Sequence, residues 1–528
     1  MIAIGRRAVL GASVASLSVL AASPALAVRG PLADEASVMR AQRRLRDPFT
    51  LGVASGDPEP DGVLIWTRLA PHPLAVDGLG GMPRRAVLVE WQVAEDRDFA
   101  RLSRTGSIYA RPESAHSVHV EVDGLAPDRE YFYRFRAAGH PSMTGRTRTA
   151  PPYASSPSSL TVAVASCAQY EHGYFTAYRR IAEENPDLVL HLGDYMYEFR
   201  KDDYVAYPHN VRAFAGHETV SLADYRRRHA QYKTDPGLQA AHAAAPWSVV
   251  FDDHEVDGNW AGMRPEHRQP HFGHRRAAAF RAYYENMPLR RTSVPRGMDM
   301  QIYRRVRWGD LATLHLMDTR QYRDDQACGD HRQAGCSARL DPRRSITGDR
   351  QERWLLRGLG DSDARWDVLA QQVFFAQRDT SRQPGLQVGM DGWDGYAASR
   401  HRILDDFGHR NVRNPVVLTG DVHRHYANDL RLDFDRPDTR PVGVELVTSS
   451  VTSGGDGHDM TDEVRGELAE NPHIRFASCR RGYVVARFDR DQLRAEFKTL
   501  PYVQRMGAPV STAAAFVVED GNPGLQRA

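Results

Sequence analysis

The feature that most constrains this chain is a join repeated along its second half. Apolar runs there end, one after another, in residues that bind metals or move protons. Residues 160–165 run into Ser166 and Cys167, and 188–192 run into Gly193 and Asp194. Residues 247–251 lead to Asp252, Asp253, His254 and Glu255, and 311–317 lead to Asp318, Thr319 and Arg320. Residues 416–418 lead to Thr419, Gly420, Asp421, Val422 and His423. Helical spacing at 175–184 and 350–359 separates some of these runs. The alternation predicts an α/β fold, which gathers its site at the carboxyl ends of successive strands.

Each join taken singly says little. A Gly-Asp after a strand often caps the next helix. Asp-Asp-His-Glu serves as a solvated turn, and Asp-x-His as a hydrogen-bonded core pair. Their joint occurrence, in order and within one region, points instead to a shared centre of two or more metal ions. Asp194 and Asp421 are hard oxygen donors. Cys167 and Tyr197, which lies three residues past Asp194, are anionic ligands suited to a ferric ion. His423 adds an imidazole. Asp253 is a metal-ligand candidate, and Asp252, Asp257 and Asn259 compete with it for that role. His254 is placed to protonate a leaving group. Arg320 offers a bidentate guanidinium to a phosphate and is expected to touch substrate rather than metal. His191 reads as a core histidine.

The amino-terminal part has a different grammar. Short strand-like runs with turns fill residues 49–148, and Leu125-Ala126-Pro127 before Tyr131 reads as a tyrosine corner. This predicts a small immunoglobulin-like β-sandwich over 45–150, and the Ser/Pro-rich stretch 151–159 reads as a linker. Residues 442–502 return to strand-like runs that complete a sheet. Residues 202–241, rich in His and Arg, either cover the cleft or pack beside it. Residues 1–27 read as an export signal, with Arg6-Arg7, an apolar run and Ala25-Leu26-Ala27, and the paired arginines suggest the twin-arginine machinery as a partner. The mature protein is then periplasmic or secreted, and later residues contain no transmembrane segment. Export permits a disulfide between Cys328 and Cys336. The 69 Lys and Arg against 67 Asp and Glu give no electrostatic reason to expect a nucleic-acid partner.

Read together, Ser166-Cys167, Gly193-Asp194-Tyr195-Met196-Tyr197-Glu198, Phe251-Asp252-Asp253-His254-Glu255, Met317-Asp318-Thr319-Arg320 and Gly420-Asp421-Val422-His423 resemble the successive motifs of the PhoD-like alkaline phosphatase/phosphodiesterase family. Val447-Thr448-Ser449-Ser450 and Asn471-Pro472-His473-Ile474 are similar to it as well, and the likeness spans residues 45–505. The resemblance implies a calcineurin-like α/β/β/α metallophosphoesterase sandwich over 160–510, preceded by the small β-sandwich. It implies hydrolysis of small phosphate monoesters and diesters with one ferric iron (Fe3+) and calcium (Ca2+). By motif position, Cys167, Asp194, Tyr197 and His423 would hold iron. Asp194 would bridge to calcium, with Asp253 and Asp421 as further ligands. A phospholipase D-like diesterase is the alternative use of such a centre, and a binding module without catalysis is the alternative class. An iron centre is best loaded before export, so Arg6→Lys with Arg7→Lys is expected to block export while synthesis continues. Fractionation that finds the double variant exported normally would remove that expectation.

Overall fold

The computed structural model describes residues 45–381, 383–409 and 412–528. The export signal expected over 1–27 lies outside them. The larger of two facing sheets has ten strands. At its centre Ser159–Ala165, Leu188–Leu192, Pro246–Val250 and Val53–Glu59 run parallel. Arg481–Asp489, Gln492–Leu500, Ser511–Glu519 and Asn522–Arg527 extend one side antiparallel. Gly62–Arg68 and Ser117–Asp123 extend the other. The second sheet has seven strands. Its parallel centre is Ala312–Leu316, Trp366–Ala370, Pro415–Thr419 and Gly443–Val447. Arg304–Trp308, His425–Leu430 and Ile474–Ser478 flank it antiparallel.

Strands covered on both faces favour apolar residues throughout, which is why Leu188–Leu192, Pro246–Val250 and Pro415–Thr419 show no alternation. Val416 and Leu418 pack into the core shared by the two sheets, while Val417 packs with the helices behind. Those helices are Gly348–Gly360 and Ala397–His409, which supply Leu355, Leu359, Ile403 and Phe407. Behind the larger sheet lie Thr176–Glu184, Leu222–Lys233, Pro236–Ala244 and Phe272–Asn286. Tyr178, Ile181, Leu238 and Phe280 from these helices enter the same core. The layers are therefore α/β/β/α, as expected. The insertion at 202–241 contributes two of the helices. Ser221 and Asp224 form a reciprocal capping box at the start of one. Asp235 caps the other, ahead of Pro236 at its first turn.

The small β-sandwich forms with one departure from expectation. Its outer sheet comprises Leu102–Ala110, Val87–Ala94, Glu130–Ala137, His140–Pro141 and Gly145–Arg148. The tyrosine corner is present, with the Ala126 N–H donating to Tyr131 Oη at 2.9 Å. The inner sheet is not the sandwich's own, because Val53–Glu59, Gly62–Arg68 and Ser117–Asp123 continue the ten-stranded sheet. Ser55 and Gly56 pair with Pro246 and Trp247. A Cβ on Gly56 would lie 2.3 Å from the Pro288 carbonyl oxygen, so glycine is required at this crossing. Such pairing across 190 residues has no local signature. Among the described residues no helix is long and apolar enough to cross a membrane. Cys328 and Cys336 are disulfide-bonded, whereas Cys167 and Cys479 are free and buried.

Removing the sandwich would uncover Pro246–Val250 as an apolar parallel edge. Residues 152–528 expressed alone are therefore expected to aggregate, and co-expression with 45–151 is expected to raise the soluble yield. A soluble, cooperatively melting 152–528 fragment would show that the shared sheet is dispensable.

Candidate metal centre

Strand ends from both sheets converge on one point. Cys167 follows Ser159–Ala165, Asp194 follows Leu188–Leu192, and Asp252 and Asp253 follow Pro246–Val250. From the facing sheet, Asp421 and His423 follow Pro415–Thr419. The chain turns sharply at these ends: φ is positive at Cys167 (59°), Asp194 (54°), Asp421 (62°) and His423 (56°). L-residues avoid this region, so the surrounding structure holds these donors in a strained conformation. Gly193 sits among them at φ +97°, and a Cβ there would lie 2.3 Å from Asp252 Cβ.

Three overlapping donor groups result: Cys167 with Asp194 and His423, Asp194 with Asp253 and His254, and Asp252 with Asp253 and Asp421. Within each group the ligand atoms all lie within 4.8 Å of one another. Tyr197 joins the first group. Its buried hydroxyl is 2.8 Å from Asp194 Oδ2, 3.2 Å from His423 Nε2 and 2.7 Å from Ser453 Oγ. Among the described residues, Oδ1 of Asp194 and Oδ2 of Asp252 are buried with no hydrogen-bond donor. Orphaned carboxylate oxygens are costly to bury, and cations would satisfy them. Thiol, phenol, imidazole and carboxylate on one side, with carboxylates alone on the other, fit one transition-metal site beside one site for a hard cation.

The sequence named these residues; it did not reveal what fixes them. Glu255 accepts backbone N–H groups from Asp194 (3.0 Å), Tyr195 (2.6 Å) and Asp252 (2.8 Å), tying two strand ends together. From the insertion, Tyr232 Oη accepts the Tyr197 N–H at 3.1 Å, and Arg228 donates to the Tyr197 carbonyl. The insertion therefore braces the Tyr197 turn. Arg481 donates to the carbonyls of His423 (2.7 Å) and Ser453 (2.8 Å). Asp257 turns away to Arg275 (3.0 Å) and Gln269 (2.6 Å). Asn259 meets Asp253 through its backbone N–H at 2.8 Å. His191 is a core histidine, hydrogen-bonded to Tyr178 at 2.7 Å and stacked on Trp247.

Arg320 has different partners from those its motif suggested. It is fully buried, and its guanidinium contacts Asp252, Asp253 (3.3 Å), Asp391 (3.0 Å) and Asp421 (3.3 Å). Instead of facing an open cleft it neutralises the carboxylates around it. Asp391, from a loop without periodicity, gave no signal in the sequence; Arg323 also holds it, at 2.9 Å.

The electrostatics follow from burial and crowding. Burial raises Asp194 to about 7, with Asp253 adding to the rise. Burial raises Asp252 to about 8, although Arg320 opposes it. Asp421 is also pushed well up, by burial and then by Asp252. Asp253 goes the other way: burial would raise it, but Arg320 and His254 together hold it low. For His254, burial disfavours the charge, yet Glu198, Asp253 and Asp194 outweigh it and hold the imidazolium protonated. Its Nδ1 donates to Glu198 at 2.8 Å, and Nε2 lies 3.8 Å from Asp253 Oδ2. Burial, with Arg481 nearby, lowers His423 to about 3, leaving a neutral imidazole.

With this geometry in view, comparison with known proteins gives a consistent answer. The family model described as PhoD-like phosphatase matches residues 162–497, and that of the PhoD-like phosphatase N-terminal domain matches 34–151. The chain belongs to the PhoD-like phosphatase family. It is therefore a phosphoric ester hydrolase. This PhoD-like phosphatase is 48% identical over 482 residues to alkaline phosphatase D of Bacillus subtilis (strain 168), covering 91% of this chain and 82% of that one. It is also similar to a solved structure described as "Structure of PhoD", with a TM-score of 0.89 and 48% identity. That match covers 91% of this chain and 92% of the other.

The raised carboxylates give a pH test. Folded-state values of about 7 and 8, against an ordinary 3.8, mean that the metal-free native phosphatase binds more protons than the unfolded chain. The stability contributed by these groups is thus present below the ordinary value and lost as pH rises through their folded values. Calorimetry in chelator is expected to show Tm falling from pH 5 to pH 8. Restored cations should raise Tm more at pH 8 than at pH 5. An equal cation effect at both values would contradict the crowding described here.

Proposed function

We propose that this phosphatase hydrolyses phosphate monoesters and diesters at a mixed iron and calcium centre, outside the cytoplasm, after export through the twin-arginine machinery. The observation that carries the reading is the overlap of the donor groups, in which Asp194 and Asp253 are each shared by two. Cys167, Asp194, Tyr197 and His423 would hold iron, and Asp194, Asp252, Asp253 and Asp421 would hold calcium. Cations bound there supply charge neutralisation at phosphoryl oxygens and lower the pKa of a water. The Cys328–Cys336 disulfide supports an oxidising compartment.

The chain's own groups do the rest. His254 presents Nε2–H toward the cluster, held by Glu198 on its far side and stacked on Tyr197 at 4.2 Å. As the ester P–O bond breaks, this proton passes to the leaving oxygen; a water oxygen replaces that oxygen on phosphorus, and the proton this water gives up returns His254 to its protonated form by way of solvent. Arg320 acts as a positioning residue that keeps Asp252, Asp253 and Asp421 together. Arg320→Ala is accordingly expected to lower metal content along with activity, whereas a residue that only contacts substrate would leave metal content unchanged.

Turnover of p-nitrophenyl phosphate and bis-p-nitrophenyl phosphate is expected to exceed that of phosphatidylcholine. The reverse order would favour the phospholipase D-like alternative. Tyr197 provides the test of iron, because a phenolate on ferric iron gives a visible charge-transfer band. Tyr197→Phe is expected to bleach the protein, lower iron content and abolish most activity. A merely packed tyrosine would lose about 1 kcal/mol for its hydrogen bond, with colour and metal unchanged.

A further inference from the structure

The two walls flanking the donor cluster carry opposite charge. On the His254 side the lining includes Glu198, Glu218, Asp253, Asp257 and Glu266, with Arg275 beside them. On the other side a cavity of about 420 Å³ borders Asp421 and His423. Its wall carries Arg332, Arg378, Arg424 and Arg481, and among the described residues Asp421 is its one carboxylate.

These four arginines are not equally available. Arg481 donates to main-chain carbonyls that shape the His423 turn. Arg332 pairs with Glu463 at 3.1 Å, and Arg424 reaches Glu463 at 3.5 Å and Glu467 at 3.9 Å. Arg378 has no such neighbour: among the described residues no carboxylate oxygen lies within 4.0 Å of its guanidinium. It is held instead over the rings of Phe374 (4.9 Å) and Tyr426 (5.8 Å). Burial opposes its charge, and the Tyr426 hydroxyl and, from a distance, Glu467 favour it, but no carboxylate touches it. A guanidinium fixed against aromatic faces and without a carboxylate in contact is preorganised to bind a carboxylate or phosphate.

We propose that this cavity is a second anion subsite, which takes a phosphate or carboxylate group carried on the ester arm retained on phosphorus. The proposal rests on the phosphoesterase reading above. With the leaving oxygen at His254, on the acidic side, the retained arm of a diester is directed past Asp421 and His423 into the basic cavity. The preferred diesters are then those whose retained arm ends in a negative group, and neutral arms forgo the contact.

Three diesters with one leaving group test this: the p-nitrophenyl phosphates of propyl, 2-carboxyethyl and 3-phosphonopropyl alcohols. The anionic arms are expected to raise kcat/KM by about ten-fold or more over the propyl arm, as one charge-assisted contact would. The carboxylate and phosphonate arms show which anion the cavity prefers. Arg378→Gln should bring the anionic-to-neutral ratio close to one, and Arg378→Lys should restore part of it. Arg332→Gln, at a half-exposed position that tolerates change, should lower the ratio less, and it keeps the test open if Arg378→Gln misfolds. A ratio near one in the parent, or one unmoved by both glutamine variants, overturns the proposal. If none of the diesters is hydrolysed, the phosphoesterase reading fails first. Calorimetric binding of propylphosphonate and propane-1,3-bisphosphonate to parent and variants then decides the subsite. Equal affinity of the parent for the two would overturn it.

Discussion

The structure turns on the crowding of buried carboxylates around the buried guanidinium of Arg320. Asp252, Asp253, Asp391 and Asp421 all contact Arg320, and Asp194 lies against Asp253. Arg320, even with Arg323 on Asp391 and the His254 imidazolium beside Asp253, does not compensate all five carboxylates in a low-dielectric interior. Part of the burden is met by protonation, as the raised values at Asp194 and Asp252 indicate. Cations are the other way to meet it. The fold accepts this local repulsion because two large sheets, packed face to face, fix the strand ends from which the carboxylates project.

Much of the centre is legible in the sequence for one physical reason. Each donor follows directly on a doubly buried strand, so an uninterrupted apolar run points straight at it. Cys167, Asp194, Asp421 and His423 stand out on that ground, and Tyr197 by its spacing from Asp194. The residues that hold them are less visible. Glu255 lies within a recognisable motif, yet its role as an acceptor for three backbone N–H groups depends on two strands being neighbours. Asp391 comes from an irregular loop, where neither periodicity nor a preceding strand marks it. Arg320 was visible as a residue, but its partners were not, because burial among carboxylates is a property of packing rather than of the motif.

The fold shows the same division. Layering follows from strand and helix grammar, and the tyrosine corner identifies the amino-terminal sandwich. The continuity of the sandwich with the large sheet depends on Val53–Glu59 pairing with Pro246–Val250. Both runs are short, the first rich in small and polar residues and the second largely apolar, and neither composition nor spacing encodes which partner each one takes. That pairing has a consequence for the site, since Pro246–Val250 leads directly to Asp252 and Asp253. The sandwich therefore supports the strand that delivers two of the crowded carboxylates.

The central claim is that this cluster is completed by bound cations rather than by protons alone. Elemental analysis of protein purified from its native host, without added metal or chelator, tests it most directly. The account predicts one iron and at least one calcium per chain, retained through gel filtration. Fully active protein carrying neither metal would contradict it.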